Sequence, residues 1–282
     1  MKRYVLLFVL AISYLSLIFP LSSYMRNRPF VEKLGYVPRS EVFMLAAADQ
    51  KQLMSASLVW NVLSYFGGLY EKTTRRIYTP PDYEGMKSMI QSAIKLDPYN
   101  LDAYYFAQAV LVWDMKQVSA ANELLEYGMK YRFWDWYLPF FAGFNAGYFL
   151  KDYETAAKYY KRVGDLTGNE LSIKLAGRYM YEAGRTDMAI AYLTAMEQGA
   201  QNSAIKNNFK IRLDAFKGVK LIESARDEYF KKSGKKPASV DILVKKGFLK
   251  ELPVDPYGGT FYLDEKGRVR STSKFAFAGQ KQ

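Results

Sequence analysis

Apolar residues fall at three- and four-residue spacing through most of this chain, the spacing of one face of a helix. The pattern predicts helices over Tyr83–Leu96, Leu101–Trp113, Ser119–Lys130, Tyr137–Leu150, Tyr153–Val163, Leu171–Ala183 and Asp187–Glu197, and a long one over Ile205–Lys232. Nearer the start, Ser40 is placed to cap a helix carrying Val42, Phe43 and Leu45. Asp49 is placed to cap a second one, carrying Leu53, Leu58, Trp60, Val62, Leu63 and Phe66 and ending near Gly67-Gly68. Two stretches break this rhythm. Tyr4 to Leu21 is apolar almost throughout, and Thr260–Leu263 and Arg268–Ser271 flank a polar turn containing Gly267, which predicts a β-hairpin.

Within the helical stretch, small and bulky residues recur in phase. Ala120, Ala156 and Ala189 each precede a bulky residue four positions on: Leu124, Tyr160 and Leu193. Alanine lets one helix approach its neighbour closely, and the bulky residue fills the gap to the next pair. A period of about 34 residues marks helical hairpins too small to bury their own apolar faces, which stack to do so. An ordinary helical bundle is the alternative.

These residues resemble the tetratricopeptide repeat. Leu96-Asp97-Pro98-Tyr99-Asn100 is similar to the turn that closes such a repeat, with Ala93 at its small position. Asp152-Tyr153, Ala156, Tyr159 and Tyr160 resemble its second helix. The chain departs from the pattern where Gly143-Phe144 stands for Leu-Gly and where Arg132 and Gly168 replace the turn proline. In this family the first helices of the pairs line a groove. The resemblance therefore implies a lining of Tyr105, Ala109 and Val112, then Phe141, Asn145 and Tyr148, then Lys174, Arg178 and Tyr181. Such a lining suits an extended peptide or a helix with an acidic residue. Phe141 and Tyr148 read equally well as core, and Lys174 and Arg178 as a solvated face. Phe133-Trp134-Asp135-Trp136-Tyr137 is expected to fill a helix–helix corner, with a recognition patch as the alternative.

Beyond Gln201 the repeat signal fades. A long helix, then Pro237-Ala238-Ser239-Val240, Gly247-Phe248-Leu249, Leu252-Pro253-Val254-Asp255-Pro256-Tyr257-Gly258 and the hairpin follow in order. Over roughly 205–275 this order resembles the C-terminal half of the major pseudopilins of type II secretion. The alternative is a structural cap on the repeats, with Pro253 and Pro256 shaping a turn and Asp255 capping it.

Composition narrows the chemistry. The chain has no Cys and no His, which removes thiol nucleophiles, Ser-His-Asp triads and thiolate or imidazole metal sites. No cofactor is expected. The net charge of +12 is unevenly spread: +5 over residues 1–100, −2 over 101–200 and +9 over 201–282. A basic tail can attract an anionic surface, but no basic-aromatic motif of a nucleic-acid reader is present. Lys2-Arg3 before the apolar run describes a signal anchor or a removed signal peptide, and the run is close to the roughly 20 residues that cross a bilayer. A buried helix is the remaining reading. Arg26 and Arg28 follow the run, so flanking charge orients it only weakly.

The expected architecture is mainly α. A membrane helix at 1–24 precedes a juxtamembrane helical segment at 25–80, a solenoid of tetratricopeptide-like hairpins at 81–200, and a small α+β module at 201–282. The order is similar to anchored repeat proteins of Gram-negative bacteria. The chain reads as a non-enzymatic scaffold binding protein or peptide partners, held at the inner membrane with its body in the periplasm, and serving a pilus, secretion or other envelope complex. Two other readings stand: a basic module on anionic membrane, and a glycan hydrolase using a carboxylate pair such as Glu170 and Glu182.

Overall fold

The computed structural model describes the backbone of residues 2–27, 33–36, 38–74 and 80–275, and the side chains of 9–25, 33–36, 38–71 and 80–275. It divides into two compact units, 1–103 and 104–282.

The first unit opens with helix α1, Lys2–Asn27, in which Pro20 is enclosed. Its described side chains from Val9 to Met25 are mostly exposed on every side of the helix. Among the described residues no helix is long and apolar enough to cross a membrane. The start of the predicted membrane segment and half of the connector predicted over 29–38 lie outside the described side chains. Helices α2 (Ser40–Ala47), α3 (Lys51–Thr74) and α4 (Tyr83–Leu96) pack on one another. Two sequence expectations change here. Ser40 does not cap α2, which follows Arg39 without a side-chain cap; its hydroxyl meets that of Ser92 on α4 at 3.2 Å. Helix α3 also runs through Gly67-Gly68 instead of ending there. The Leu96–Asn100 turn behaves as its sequence predicts. Asn100 accepts from the Ala103 amide at 3.4 Å and donates at 3.1 Å to Ser55 Oγ, which itself donates to the Ala93 carbonyl at 2.9 Å.

The second unit is built from α5 (Leu101–Ala109), α6 (Val118–Tyr131), α7 (Tyr137–Phe144), α8 (Tyr153–Thr167), α9 (Glu170–Glu182) and α10 (Thr186–Gly199). Its helices form stacked pairs: α6 packs on α7, α7 on α8, α8 on α9 and α9 on α10. The alanines are used as expected at two of the three places. Ala156 and Ala189 are fully buried, with Tyr160 and Leu193 beside them in the core. In α6 the contact shifts by one residue: Ala121 and Leu125 are buried while Ala120 and Leu124 are partly exposed.

Local sequence sets the ends of these helices. Asp152 accepts from the Thr155 amide at 3.1 Å to start α8, and Asn169 accepts from Ser172 at 3.0 Å to start α9. Gly168 ends α8 at φ +63°, a left-handed conformation natural to glycine.

One irregularity repeats between successive hairpins. Helix α5 continues into a π-helical segment, Val110–Asp114, and α7 into another, Asn145–Leu150. A left-handed lysine follows each, Lys116 two residues after the first at φ +57° and Lys151 directly after the second at φ +56°. Each is closed by an amide reaching six residues back, Gln117 to the Leu111 carbonyl at 2.7 Å and Asp152 to the Ala146 carbonyl at 2.9 Å. A π-helical turn widens the helix and rotates later side chains onto a different face.

The tail adds α11 (Ser203–Ser233), α12 (Val240–Lys245) and a hairpin of β1 (Phe261–Leu263) and β2 (Val269–Ser271), in register Phe261↔Ser271. Helix α11 packs on α10, and its Phe209, Leu213, Phe216, Val219 and Ile222 join the core of the last hairpin. Asp255 holds the preceding turn, accepting from Ser271 Oγ, from Ser273 Oγ at 2.6 Å and from the Tyr257 amide at 2.9 Å. The element order matches the expectation from sequence. The likeness to pseudopilins rests on the sequence pattern alone.

Candidate partner-binding surface

Helices α5 and α7, with the π-helical segments that follow them, present an aromatic surface in the second unit. Before the turns, α-helical spacing holds. Tyr105 is 60% exposed. Its ring lies 6.2 Å from that of Tyr137, which lies 4.6 Å from Phe141. Within the π-helical segments the exposed positions differ from those counted by α-helical steps. Val112 is fully buried and the next residue, Trp113, is half exposed, edge-on to Phe149 at 5.1 Å. In the following pair Asn145 is fully buried, while Phe144 stacks on exposed Tyr148 at 5.3 Å with an interplanar angle of 8°. Lys151 lies 5.3 Å over the Tyr148 ring.

Val112 and Asn145 are therefore not accessible, contrary to expectation. The physical reason for Asn145 is a buried amide network. Asn145 exchanges hydrogen bonds with Gln108 and donates to Asn122 Oδ1 at 2.8 Å, while Asn122 donates to the Ala142 carbonyl at 3.4 Å. Buried amides need such partners, so Asn145 works inside the stack.

Tyr181 is also buried, for a different reason. The tail covers it: its hydroxyl donates to the Val269 carbonyl at 2.5 Å, its ring stacks on Phe216 at 5.2 Å, and Arg270 lies over it at 5.3 Å. Burial raises its hydroxyl pKa to about 12. The other six expected residues keep some exposure. Tyr105 and Tyr148 are the most accessible aromatics, Ala109 and Phe141 are half-buried, Lys174 is engaged by Glu170 at 3.0 Å, and Arg178 is exposed.

The loop between α6 and α7 overturns another expectation. Phe133, Trp134 and Trp136 are 67%, 53% and 49% exposed, so this cluster does not fill a corner. The turn is nevertheless fixed: Asp135 is buried, pairs with Arg132 Nε at 2.7 Å and accepts from the Tyr137 amide at 2.8 Å. Trp136 sits 6.3 Å from Tyr137 and 6.1 Å from Phe140, joining the loop to the aromatic surface. The Tyr137 hydroxyl is buried without a hydrogen-bond partner among the described residues, and burial first, then nearby Tyr105 and Asp135, raise its pKa to about 12. The sequence carried a signal for Trp134 and Trp136 in their density alone. It carried none for Trp113, whose exposure depends on the π-helical turn.

The carboxylates weighed for hydrolysis do not converge. Glu170 and Glu182 stand at opposite ends of the single helix α9, about 18 Å apart by helical rise, far beyond the roughly 5–9.5 Å of a glycosidase pair. Glu170 accepts from Lys174 and Asn208, and Glu182 pairs with Arg270 at 2.7 Å. Among the described residues no group of three or more Asp or Glu side chains could hold a metal ion.

No family model and no curated protein matches the chain. Among solved structures it is similar to one described as the crystal structure of MamA protein, at 19% identity and a TM-score of 0.38, covering 68% of this chain and 98% of that one.

Proposed function

We propose that this chain is a non-enzymatic scaffold that holds a protein partner on the aromatic surface running from Tyr105 and Trp136 through Phe141 to Tyr148 and Trp113. The observation that carries this reading is the exposure of large aromatics on fixed elements. Exposed Trp and Tyr are the residue types that dominate protein interfaces, because each covers a wide contact area with few rotatable bonds to order. The flanking cations Lys151 and Arg178 suit a partner segment bearing carboxylates. The segment 1–24 fixes the chain to the inner membrane with its body in the periplasm, and the partner belongs to a pilus, secretion or other envelope complex. Support for attachment comes from the apolar run Tyr4–Leu21 and from the apolar side chains exposed all around α1.

The test is site-specific photo-crosslinking in intact cells, with the crosslinker at Tyr105, Trp136 or Tyr148, and at Lys158 on α8 as a control. One discrete partner captured from the first three positions and not from Lys158 supports the reading. Equal capture from all four, or none, removes it. Extraction by carbonate, or sensitivity of the body to protease added to the cytoplasmic side only, would remove the proposed attachment and orientation.

A further inference from the structure

A separate recess lies within the tail, where the last turns of α11, the 234–237 turn and the hairpin turn 264–267 meet. Its volume is about 280 Å³, room for one or two side chains. Hydrogen bonds hold each wall. Gly234 ends α11 at φ +68°, and Ser233 Oγ bonds the Lys235 carbonyl at 3.1 Å. Arg226 Nη1 donates to the Gly267 carbonyl at 2.8 Å, tying helix to hairpin. Asp264 accepts from the Lys266 and Arg268 amides at 3.0 and 2.9 Å, so the hairpin turn is rigid.

The charge in this recess is one-sided. Arg226, Lys236, Lys266 and Arg268 line it, with Asp227 as its single carboxylate. That carboxylate is taken by Arg226 at 2.8 Å, and Arg268 is paired with Asp264 at 2.9 Å. Lys236 and Lys266 are exposed and have no carboxylate within ion-pair distance among the described residues. Phe230, Pro237 and Leu263 give the recess an apolar part of its lining, of which Phe230 is 49% exposed.

We infer that this recess receives a partner's peptide segment in which an acidic residue stands beside an apolar one, the carboxylate between Lys236 and Lys266 and the apolar side chain on Phe230. A free anion would leave the apolar lining bare. A flat lipid surface would not enter a concavity of this size. Exposed ion pairs contribute only about 0.2–1 kcal/mol each, so the apolar contact is required for useful affinity and the interaction is salt-sensitive. This inference stands independently of the aromatic surface.

The test uses full-length protein in detergent micelles and a fluorescein-labelled peptide of repeating Asp-Phe-Glu-Leu, read by anisotropy. A matched peptide carries Asn and Gln in place of the acids. The acidic peptide is expected to bind at least about tenfold more tightly than the amide peptide, and less tightly at high salt. The double variant Lys236→Glu, Lys266→Glu and the single variant Phe230→Ala should each weaken it by about tenfold, with unchanged circular dichroism. Equal binding of the two peptides, or unchanged binding by the double variant, overturns the inference. Displacement by inorganic phosphate would reassign the recess to a small anion. Binding to phosphatidylglycerol vesicles that the double variant loses, without peptide binding, would reassign it to lipid. Either result overturns the peptide reading.

Discussion

Asn145 and Gln108 hydrogen-bond each other in both directions, Gln108 Nε2 to Asn145 Oδ1 at 3.0 Å and Asn145 Nδ2 to Gln108 Oε1 at 2.7 Å. Both are buried, and they join the first helices of two successive hairpins. Because amide pairing demands a matched geometry, this contact fixes how one hairpin is set on the next in a way apolar packing alone does not. Asn145→Leu removes the partners of the Gln108 amide and of Asn122 Oδ1, while Asn122 keeps its bond to the Ala142 carbonyl, and is expected to cost about 2–4 kcal/mol in urea denaturation. Gln108→Leu combined with Asn145→Leu should cost less than the sum of the two single changes. Additive costs would mean the pair is not coupled.

Gly128 on α6 has no room for a side chain. A Cβ there would lie 2.7 Å from the Tyr104 ring and 2.8 Å from Leu138 Cδ1, both residues being fully buried. Gly128→Ala is expected to destabilise the second unit by about 1–3 kcal/mol despite the better helix propensity of alanine. A higher melting temperature in calorimetry would show that this contact has slack.

Lys116 closes the first π-helical turn in a left-handed conformation that costs a non-glycine residue about 1 kcal/mol. It is exposed, and among the described residues its ammonium meets only the Trp113 carbonyl, at 2.6 Å. Lys116→Gly should therefore raise stability by a few tenths to about 1 kcal/mol. The gain is small because glycine also loosens the unfolded chain.

Glu223 on α11 is half-buried, and this raises its carboxyl pKa above the ordinary value of 4.5, although Thr186 Oγ1 donates to it at 3.2 Å. The folded state thus binds the proton more tightly than the unfolded one. The stability from this group is fully present below 4.5 and is lost as pH rises through the folded value. Glu223→Gln is expected to match or exceed the parent in melting temperature above neutrality and to flatten the profile from 4.5 upward. A variant that melts lower at every pH would show that the charged form is favoured.

All four tryptophans, Trp60, Trp113, Trp134 and Trp136, are about half exposed or more. Tryptophan is usually buried for most of its surface, so the emission of the free protein should resemble indole in water and be quenched by iodide. Partner binding at the aromatic surface should shift it to the blue and protect it. A blue emission spectrum in the free protein would contradict the exposed loop.

Much of the fold was legible because local rules dominate it. The apolar spacing and the in-phase Ala156 and Ala189 act within one or two helical turns, so spacing alone placed most helices of 83–197 within a few residues. The site was legible only in part. Counting by α-helical steps put Tyr105 and Tyr148 on a face that is accessible, but Val112 lies inside a π-helical segment and is buried, and Asn145 is drawn inward by the amide network with Gln108 and Asn122. Nothing local in Val110–Asp114 announces such a turn. Tyr181 failed for a non-local reason, since Val269 and Arg270 arrive from far along the chain to cover it.

What the sequence itself determined is the set of helices, their pairing by small residues, the hairpin of the tail and the absence of thiol and imidazole chemistry, because these follow from residue type and short-range spacing. What the tertiary structure decided is which face each helix shows: the buried amide network, the covering of α9 by the tail, and the exposure of the Phe133–Trp136 loop. Those outcomes depend on which distant segments meet, and the free energy of that meeting is shared among residues with no fixed separation along the chain.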